Sequence, residues 1–564
     1  MRDQVACDVL VAGSGAGAFS AAITARHHGL DVLMVEKAPL FGGTTCYSAG
    51  VIWIPGSAQA KAAGTQDSPA EALRYLESIA GNRLDRARAE AFLATGPEML
   101  AFLEANTPVR YGLVPTWADY EPELPGGSNG GRSLAPDVFD GRKLGQRFDQ
   151  LRPPLESMML LGGMMVGRTD LPHLYNMLRV PKSAWHAVRM FARYGRDRLG
   201  WKRGTRLTNG NGLIAALALA AQEKGIPLWL EAPLISLVHE GGRIAGAIVR
   251  RDGRDVEIRA RRGVVLACGG FAGDAALKAR LYAHVADGRA HQSLPPATNS
   301  GDGIRIATGA GAAFHEDVHH AAAWTPVSYL PQPDGTKLPY PHFIDRGKPG
   351  YIAVDRRGKR FVNEAKSYHV FVPAMIEACR GDQQTECWNI CDHAAIRRWG
   401  LGAAPPRPAR LTPYLDSGYI ISGATPEELA ARLGIDPAGL AATIRSYNDG
   451  ARRGEDSEFG RGTDAYQRFN GAPGHAPNPC VAPLDRPPYY AVRLVPGDIG
   501  TFAGLRTDAS ARVLDKDGQP IAGLYAAGND MASVMGGTYP GAGITIGPAL
   551  TFGYIAGRHL VGKD

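Results

Sequence analysis

The chain opens on short apolar runs separated by turns of small residues. Residues 7–11 are apolar and partly β-branched, and read as a buried parallel strand. Ala-rich sequence then runs to His28 and predicts a helix, with Gly29 placed to end it. Residues 31–35 predict a second strand, with Glu36 at its end. Residues 69–106 repeat Ala, Leu and Glu with few breakers and predict helix. Another helix is expected at 211–222, then strands at 227–229 and 233–238. A hairpin is expected at 243–250 and 255–261 around Asp252-Gly253. Residues 264–271, with Ala267-Cys268-Gly269-Gly270 inside them, read as a further buried strand ending in glycines.

From about 284 to 489 the texture changes to short mixed elements, richer in Pro and His. Helices are expected there at 425–433, with a capping-box pattern from Thr425 to Glu428, and at 437–452. From about Tyr490 the first texture returns. Residues 521–529 read as a strand entering a glycine turn, and a closing helix holds Pro548 in its first turn. The expectation is an α/β fold. A split Rossmann-like dinucleotide domain takes residues 1–283 and 490–564, and an inserted α+β substrate domain takes 284–489.

At 564 residues the chain can hold two or more cored domains. Net charge of +7 is mildly basic and too diffuse to argue for nucleic acid. Seven cysteines at irregular spacing complete no zinc set, so no metal site is expected and free thiols in a reducing cytosol are the simplest reading. No signal peptide and no apolar run of roughly eighteen residues is read, so neither export nor a membrane span is expected. Residues 182–206 are basic and amphipathic. Trp185, Val188, Phe191 and Ala192 suit one face, and Lys182, Arg189, Arg193 and Arg196 the other. A solvated surface helix is the preferred reading, and a peripheral contact with the inner face of the membrane the alternative.

The chemistry begins at Gly13-Ser14-Gly15-Ala16-Gly17-Ala18, which fits G-x-G-x-x-G/A with strand, helix, second strand and acid in order. Gly13 allows the tight turn, Gly15 leaves room for a pyrophosphate, and Ala18 lets helix and strand pack closely. The helix N-terminus offers N–H groups to phosphate, and Glu36 suits a ribose diol. The loop from Lys37 to Gly50, with Gly43-Thr44-Thr45 and Ser48-Ala49-Gly50, is small, polar and glycine-rich. Such a loop brings backbone amides and hydroxyls close to a ligand.

These blocks resemble the FAD-dependent fumarate reductase/succinate dehydrogenase flavoprotein superfamily, and within it the 3-ketosteroid Δ1-dehydrogenases. The resemblance covers nearly the whole chain. It rests on GSGAGA with Glu36, GGTTCYSAG, VVLACGGF, RFVNEAKSY, GLYAAGN and GGTYPGAGITIGPALTFGYIAG. Where the fumarate-reductase pattern has His-Gly-x-x-Arg, this chain has Tyr539-Pro540-Gly541-Ala542-Gly543. The resemblance implies non-covalent FAD, held by the loops above together with Leu234, Ala267, Gly269, Gly528, Asn529 and Ile544. It also implies a catalytic set of Tyr120, Tyr368, Tyr539 and Gly543, with Trp117 at the aromatic position three before Tyr120.

The implied reaction removes two hydrogens across C1–C2 of a 3-ketosteroid, and a quinone or dye then takes the electrons. Tyr539 O–H and Gly543 N–H would hold the C3 oxygen. Tyr368 would take the C2 proton, helped by Tyr120, because free tyrosine, with a pKa of about 10, is a poor base near neutrality. An apolar cleft is expected, with Met158, Met159, Leu160, Leu161, Met164 and Met165 as suitable lining. The alternatives are a Δ4-dehydrogenase or fumarate-reductase-like member of the superfamily, and a non-catalytic flavin protein at a membrane surface.

Overall fold

Apolar, β-branched sequence puts the N-terminal strand, Asp3–Ala12, inside an eight-stranded sheet. The computed structural model describes residues 3–407 and 409–563. The strand pairs in parallel with Val32–Val35 on one side and with Arg254–Leu266 on the other. Pro520–Ala526 continues the sheet beyond Arg254–Leu266, and Leu228–Trp229 continues it beyond Val32–Val35. Ala12 is in register with Val35 and with Leu266, and Leu266 with Ala526. Four strands therefore release their C-terminal loops at one level, the edge where open α/β sheets bind ligands.

Two helices cover one another beneath that edge. Ala16–His27 packs on the closing helix Ile546–Leu560, in whose first turn Pro548 sits. They approach so closely that a Cβ at Gly553 would lie 2.4 Å from the Gly17 carbonyl oxygen. Glycine is required there for contact, not for backbone freedom.

A second sheet of seven strands is built around Tyr489–Thr501. That strand pairs antiparallel with Ala322–Pro331 and with Cys387–Asp392. Here the structure departs from the sequence expectation, which returned the chain to the first domain at Tyr490. The first sheet is rejoined only at Arg512–Leu514 and Pro520–Ala526. A strand buried on both faces reads alike in either sheet, so texture alone did not separate them. Two further differences are local. The helical stretch 69–106 is two helices, Pro69–Ala80 and Arg86–Asn106, because Gly81 turns the chain at φ +53° and Asp85 caps a new start. Residues 255–261 and 264–266 are one strand, Arg254–Leu266, kept continuous by a register shift opposite Cys7 to Val9.

Residues 156–202 form a lobe whose helix, Pro181–Asp197, turns Ala187 and Met190 inward and Trp185, Val188 and Phe191 outward. Eleven large apolar side chains are exposed among the described residues. Eight of them lie in this lobe, including Leu178, Trp185 at 64% and Leu199 at 89%. The lobe is clamped from beneath by buried Asp170, which accepts from Arg206 at 2.8 and 3.1 Å and meets His186 at 2.9 Å.

The second sheet is locked to its loops by a buried ionic knot. Arg360 forms paired bonds to Glu364 (2.8 and 2.8 Å) and to Asp456 (2.8 and 2.8 Å). Arg461 meets Glu364 at 3.3 Å and donates to the carbonyls of Arg346 (2.9 Å) and Lys348 (2.7 Å). These side chains are almost fully buried, so losing one partner strands a charge away from water. Arg360→Met is expected to destabilise the fold by about 3–5 kcal/mol. Its urea midpoint should fall with an unchanged slope; an unaltered midpoint would show that the knot holds nothing.

Candidate active site

Four sequence blocks converge at the C-terminal edge of the first sheet. Gly13-Ser14-Gly15 follows Ala12, Glu36-Lys37 follows Val35, Ala267–Gly270 follows Leu266, and Gly528-Asn529 follows the strand ending at Ala526. Gly15 caps the helix that begins at Ala16, and no acidic side chain stands in its first turn. Phosphate would therefore meet free N–H groups and no repulsion. The Ser14 hydroxyl donates to Glu36 Oε2 at 2.5 Å and accepts from the Gly42 N–H at 2.9 Å, which ties the turn to the following loop. Glu36 Oε1 accepts from the Ala38 N–H at 2.9 Å.

The loop after Glu36 closes over this edge. Gly43–Tyr47 is a tight 3-10 turn. Thr45 Oγ1 accepts from the Ala16 N–H at 3.2 Å, and Thr44 Oγ1 from Asn299 at 2.8 Å. Ser48 bonds the Thr45 carbonyl at 2.7 Å, with Ala49 exposed beside it and Gly50 buried against the start of the helix Asn209–Glu223. Lys37 turns its ammonium to Asp302 at 2.6 Å and Ser300 at 2.5 Å. Leu234 begins its strand and is buried; two residues earlier the Ala232 N–H bonds the Glu36 carbonyl. Glycine turns at the ends of neighbouring parallel strands, a helix N-terminus and a carboxylate at the second strand end fit the ADP part of FAD. Ile544 lies at the opposite end, next to Gly543.

Three tyrosines from distant parts of the chain meet there. Tyr120 and Tyr368 place their hydroxyls 2.8 Å apart. Tyr120 stacks on Tyr539 with ring centres 5.2 Å apart, and Tyr368 meets Tyr539 edge-on at 5.3 Å. Each is held by its own neighbours. The Tyr120 N–H bonds the Pro540 carbonyl at 2.8 Å, and Tyr75 bonds the same oxygen. Asp119, one residue before, is buried and accepts from Trp53 (2.8 Å), Arg132 (2.7 Å) and the Ser128 N–H (3.0 Å). Tyr368 opens a helix capped by Ser367, eight residues beyond Arg360 of the ionic knot. Gly543 sits at φ +102°, with its carbonyl bonded by the N–H groups of Trp53 (3.3 Å) and Gly547 (2.9 Å).

Burial sets the electrostatics. It pushes the phenols of Tyr120 and Tyr368 well above the usual tyrosine value. Tyr539 rises to about 12, with the hydroxyls of Tyr368 and Thr545 pulling it back. Either hydroxyl of the Tyr120–Tyr368 pair can donate to the other. Among their ring neighbours are Tyr466, Phe343, Phe502 and His369. The Met-rich run expected to line a cleft lies elsewhere. Met164 and Met165 are buried beneath the helix Pro181–Asp197, while Met158 and Leu161 are exposed.

Several positioning residues escaped the sequence reading. Asn299 bridges Thr44 and the Gly269 carbonyl (3.0 Å). Asp530 is fully buried and accepts from the N–H groups of Cys268 (2.6 Å) and Gly270 (3.0 Å). Asp530 directly follows Gly528-Asn529, and an acid in so apolar a turn was the available signal; Asn299 carried none. All seven cysteines are free thiols. Among the described residues no group of three His, Cys, Asp or Glu side chains is arranged to hold a metal ion.

This geometry is that of an FAD-binding fold. The family model for the FAD binding domain matches residues 8–546, and the chain belongs to that family. Its relatives include a 3-oxosteroid 1-dehydrogenase of Mycobacterium tuberculosis, 38% identical over 98% of this chain and 98% of that protein. A 4-oxocyclohex-2-ene-1-carboxylate 5-dehydrogenase of Sinomonas cyclohexanicum is 39% identical over 99% of this chain and 94% of its own. The crystal structure of 3-ketosteroid Δ1-dehydrogenase from Sterolibacterium denitrificans with 1,4-androstadiene-3,17-dione superposes at a TM-score of 0.90, with 36% identity and 99% of each chain covered.

A Cβ at Gly543 would lie 2.4 Å from the backbone carbon of Ile52, at a φ that side chains rarely adopt. Gly543→Ala is expected to cost at least about 1–3 kcal/mol and to lower the thermal midpoint by several degrees. Gly195→Ala, where nothing lies within 4 Å, should leave the midpoint unchanged or raise it slightly. Equal midpoints for the two variants would contradict the crowding at Gly543.

Proposed function

We propose that this protein is an FAD-dependent 3-ketosteroid Δ1-dehydrogenase with Tyr120, Tyr368, Tyr539 and Gly543 as its catalytic set. One observation carries the reading: three phenols from residues 120, 368 and 539 are buried in mutual contact, and the Tyr539 hydroxyl bonds Thr545, two residues past Gly543. A paired hydroxyl in an apolar site suits proton transfer.

The C–H bonds at C1 and C2 are activated only through the C3 ketone. Tyr539 O–H and the Gly543 N–H hold the ketone oxygen and stabilise enolate charge as it develops. Tyr368 takes the proton from C2 as its own proton passes to the Tyr120 oxygen across the 2.8 Å contact, and Tyr120 releases its phenol proton in turn, so neither phenol gains charge. Bound FAD supplies the acceptor for the C1 hydride, and a quinone or dye reoxidises it. The surrounding rings exclude water, which strengthens the hydrogen bonds to the ketone. The 39% relative acting on an oxocyclohexenecarboxylate supports a second reading, in which the ring ketone is small and carries a carboxylate.

The outward apolar face of the lobe at 156–202 supports a peripheral contact with an anionic membrane. Lys182, Arg189, Arg193 and Arg196 share the helix with exposed Trp185 and Val188. Each cation near such a surface contributes about 1 kcal/mol. No helix among the described residues is long and apolar enough to cross a bilayer.

With androst-4-ene-3,17-dione and an artificial acceptor, the expected product is unsaturated at C1. Tyr368→Phe and Tyr539→Phe should each lower turnover by roughly 10²–10⁴-fold. Turnover that survives both nearly intact would rule the mechanism out. Because burial holds Tyr368 and Tyr120 protonated, flavin reduction should accelerate as pH rises from about 6 to 9, without a plateau. A rate that falls across that range in stopped-flow traces would exclude a tyrosine base. The protein should sediment with phosphatidylglycerol vesicles at low salt. The pair Trp185→Ser and Leu199→Ser should leave it in the supernatant; unchanged sedimentation would remove the lobe from the contact.

A further inference from the structure

One cation near the tyrosines has no counter-ion. The Arg168 guanidinium packs against two touching aromatic rings, 4.4 Å from the centre of Trp117 and 4.6 Å from that of Phe469, whose own centres are 5.7 Å apart. Neither a hydrogen bond nor an ion pair to it occurs among the described residues, and its Nη1 is buried without an acceptor. The indole N–H of Trp117 is likewise buried and unanswered. Two stranded donors in one place call for an acceptor that the protein does not provide.

The neighbouring carboxylates are already engaged. Glu121 and Asp464 both face Lys366. Arg168 is also held rigidly: Asp170 accepts from the Gly167 N–H at 2.8 Å and is itself gripped by Arg206. Burial lowers the guanidinium to about 10, so it stays charged at neutral pH. The position is close to the reacting groups. Phe469 stands one helical turn after Tyr466 on Ala465–Asn470, and Tyr466 packs on Tyr120 at 4.7 Å. Trp117 lies three residues before Tyr120 on the same loop.

We infer that Arg168, with the Trp117 indole N–H, is an anchor for a carboxylate carried on the ring ketone that the tyrosines process. A guanidinium seated against the paired rings of Trp117 and Phe469, with Nη1 unbonded, keeps donors for a carboxylate. The inference rests on the dehydrogenase reading and extends it by naming a group on the substrate remote from the ketone. Two sources share this chemistry: a small oxocyclohexanecarboxylate and a 3-ketosteroid whose C17 side chain ends in a carboxylate.

The test compares 4-oxocyclohexane-1-carboxylate with its methyl ester, and 3-oxochol-4-en-24-oate with its methyl ester. In the unaltered holoenzyme, kcat/KM should favour the acid by about tenfold or more in one pair, and that pair identifies the size of the substrate. Arg168→Met should erase the preference by raising KM for the acid, and Arg168→Lys should restore part of it. No preference for the acid in either pair overturns the anchor. So does an Arg168→Met variant that slows acid and ester by the same factor, since that is the behaviour of a structural clip. If Arg168→Met fails to fold, the acid-to-ester ratio of the unaltered protein decides. If no ketone reduces the flavin, the dehydrogenase reading fails separately. The anchor is then read by titrating flavin absorbance with each acid and ester, where equal affinities overturn it.

Discussion

The catalytic reading depends on a group of charges that never touch substrate. Arg360, Glu364, Asp456 and Arg461 are buried together, and Glu364 also accepts from the Ala353 N–H at 3.0 Å. This ties the segment 360–367 to the second sheet on several sides. Asn363 adds bonds to the Phe459 carbonyl and to Gln467, both at 3.1 Å. Tyr368 is the first helical residue after that segment. A hydroxyl that must sit 2.8 Å from another, 248 residues away, needs its backbone fixed to a fraction of an ångström. Buried ion pairs contribute little net stability against apolar replacements. Their geometry is nevertheless directional, and here direction matters more than depth of stabilisation.

On the other side of the site a smaller buried ionic group, Asp67–Arg132–Asp119, works together with backbone bonds. The Tyr539–Gly543 block is stitched by backbone to the N-terminal half. Pro540 accepts from Tyr120 N–H and Tyr75, Ala542 from Ser133 at 3.0 Å, and Gly543 from Trp53 N–H. The two halves of the site are thus pinned independently, and the phenols meet where they join. Burial that makes this contact dry also raises the phenols, which opposes their use as bases. In the proposed mechanism the contact between the Tyr368 and Tyr120 hydroxyls offsets part of that cost by giving the proton a path.

Local chemistry was legible where a residue's job is local. The fingerprint Gly13–Ala18, Glu36, the glycines after Leu266 and Gly528 all sit at ends of neighbouring parallel strands, as their small size and order implied. What could not be read were relations set by tertiary contact. Tyr489–Thr501 has the burial of a strand in either sheet, and pairing alone assigns it. Asn299 and Asp530 work through partners far along the chain. The Met-rich run is apolar enough for a cleft, yet it packs into a lobe whose remaining apolar groups face outward. For the helix Pro181–Asp197, periodicity marked an apolar and a basic face, yet the protein covers a third, Ser183, Ala187, Met190 and Asp197, that neither contained.

That last difference separates reaction from substrate. Any ring ketone that loses hydrogens beside its carbonyl needs an oxygen anchor, a base and a relay in one geometry. On the proposed roles, Tyr539, Gly543, Tyr368 and Tyr120 serve that chemistry and say nothing of the rest of the molecule. Selection among ketones would then come from groups that do not touch the reacting atoms. Among the described residues, Arg168 and the Trp117 indole are an unanswered donor pair near the tyrosines, on the boundary between the Tyr120 loop and the surface lobe. A buried donor left unpaired by a neutral ligand penalises that ligand, and by more than a matched acid gains over water. Specificity in such a site would arise as rejection of the wrong ketone. It would be encoded in a segment where apolar and basic residues carry no motif.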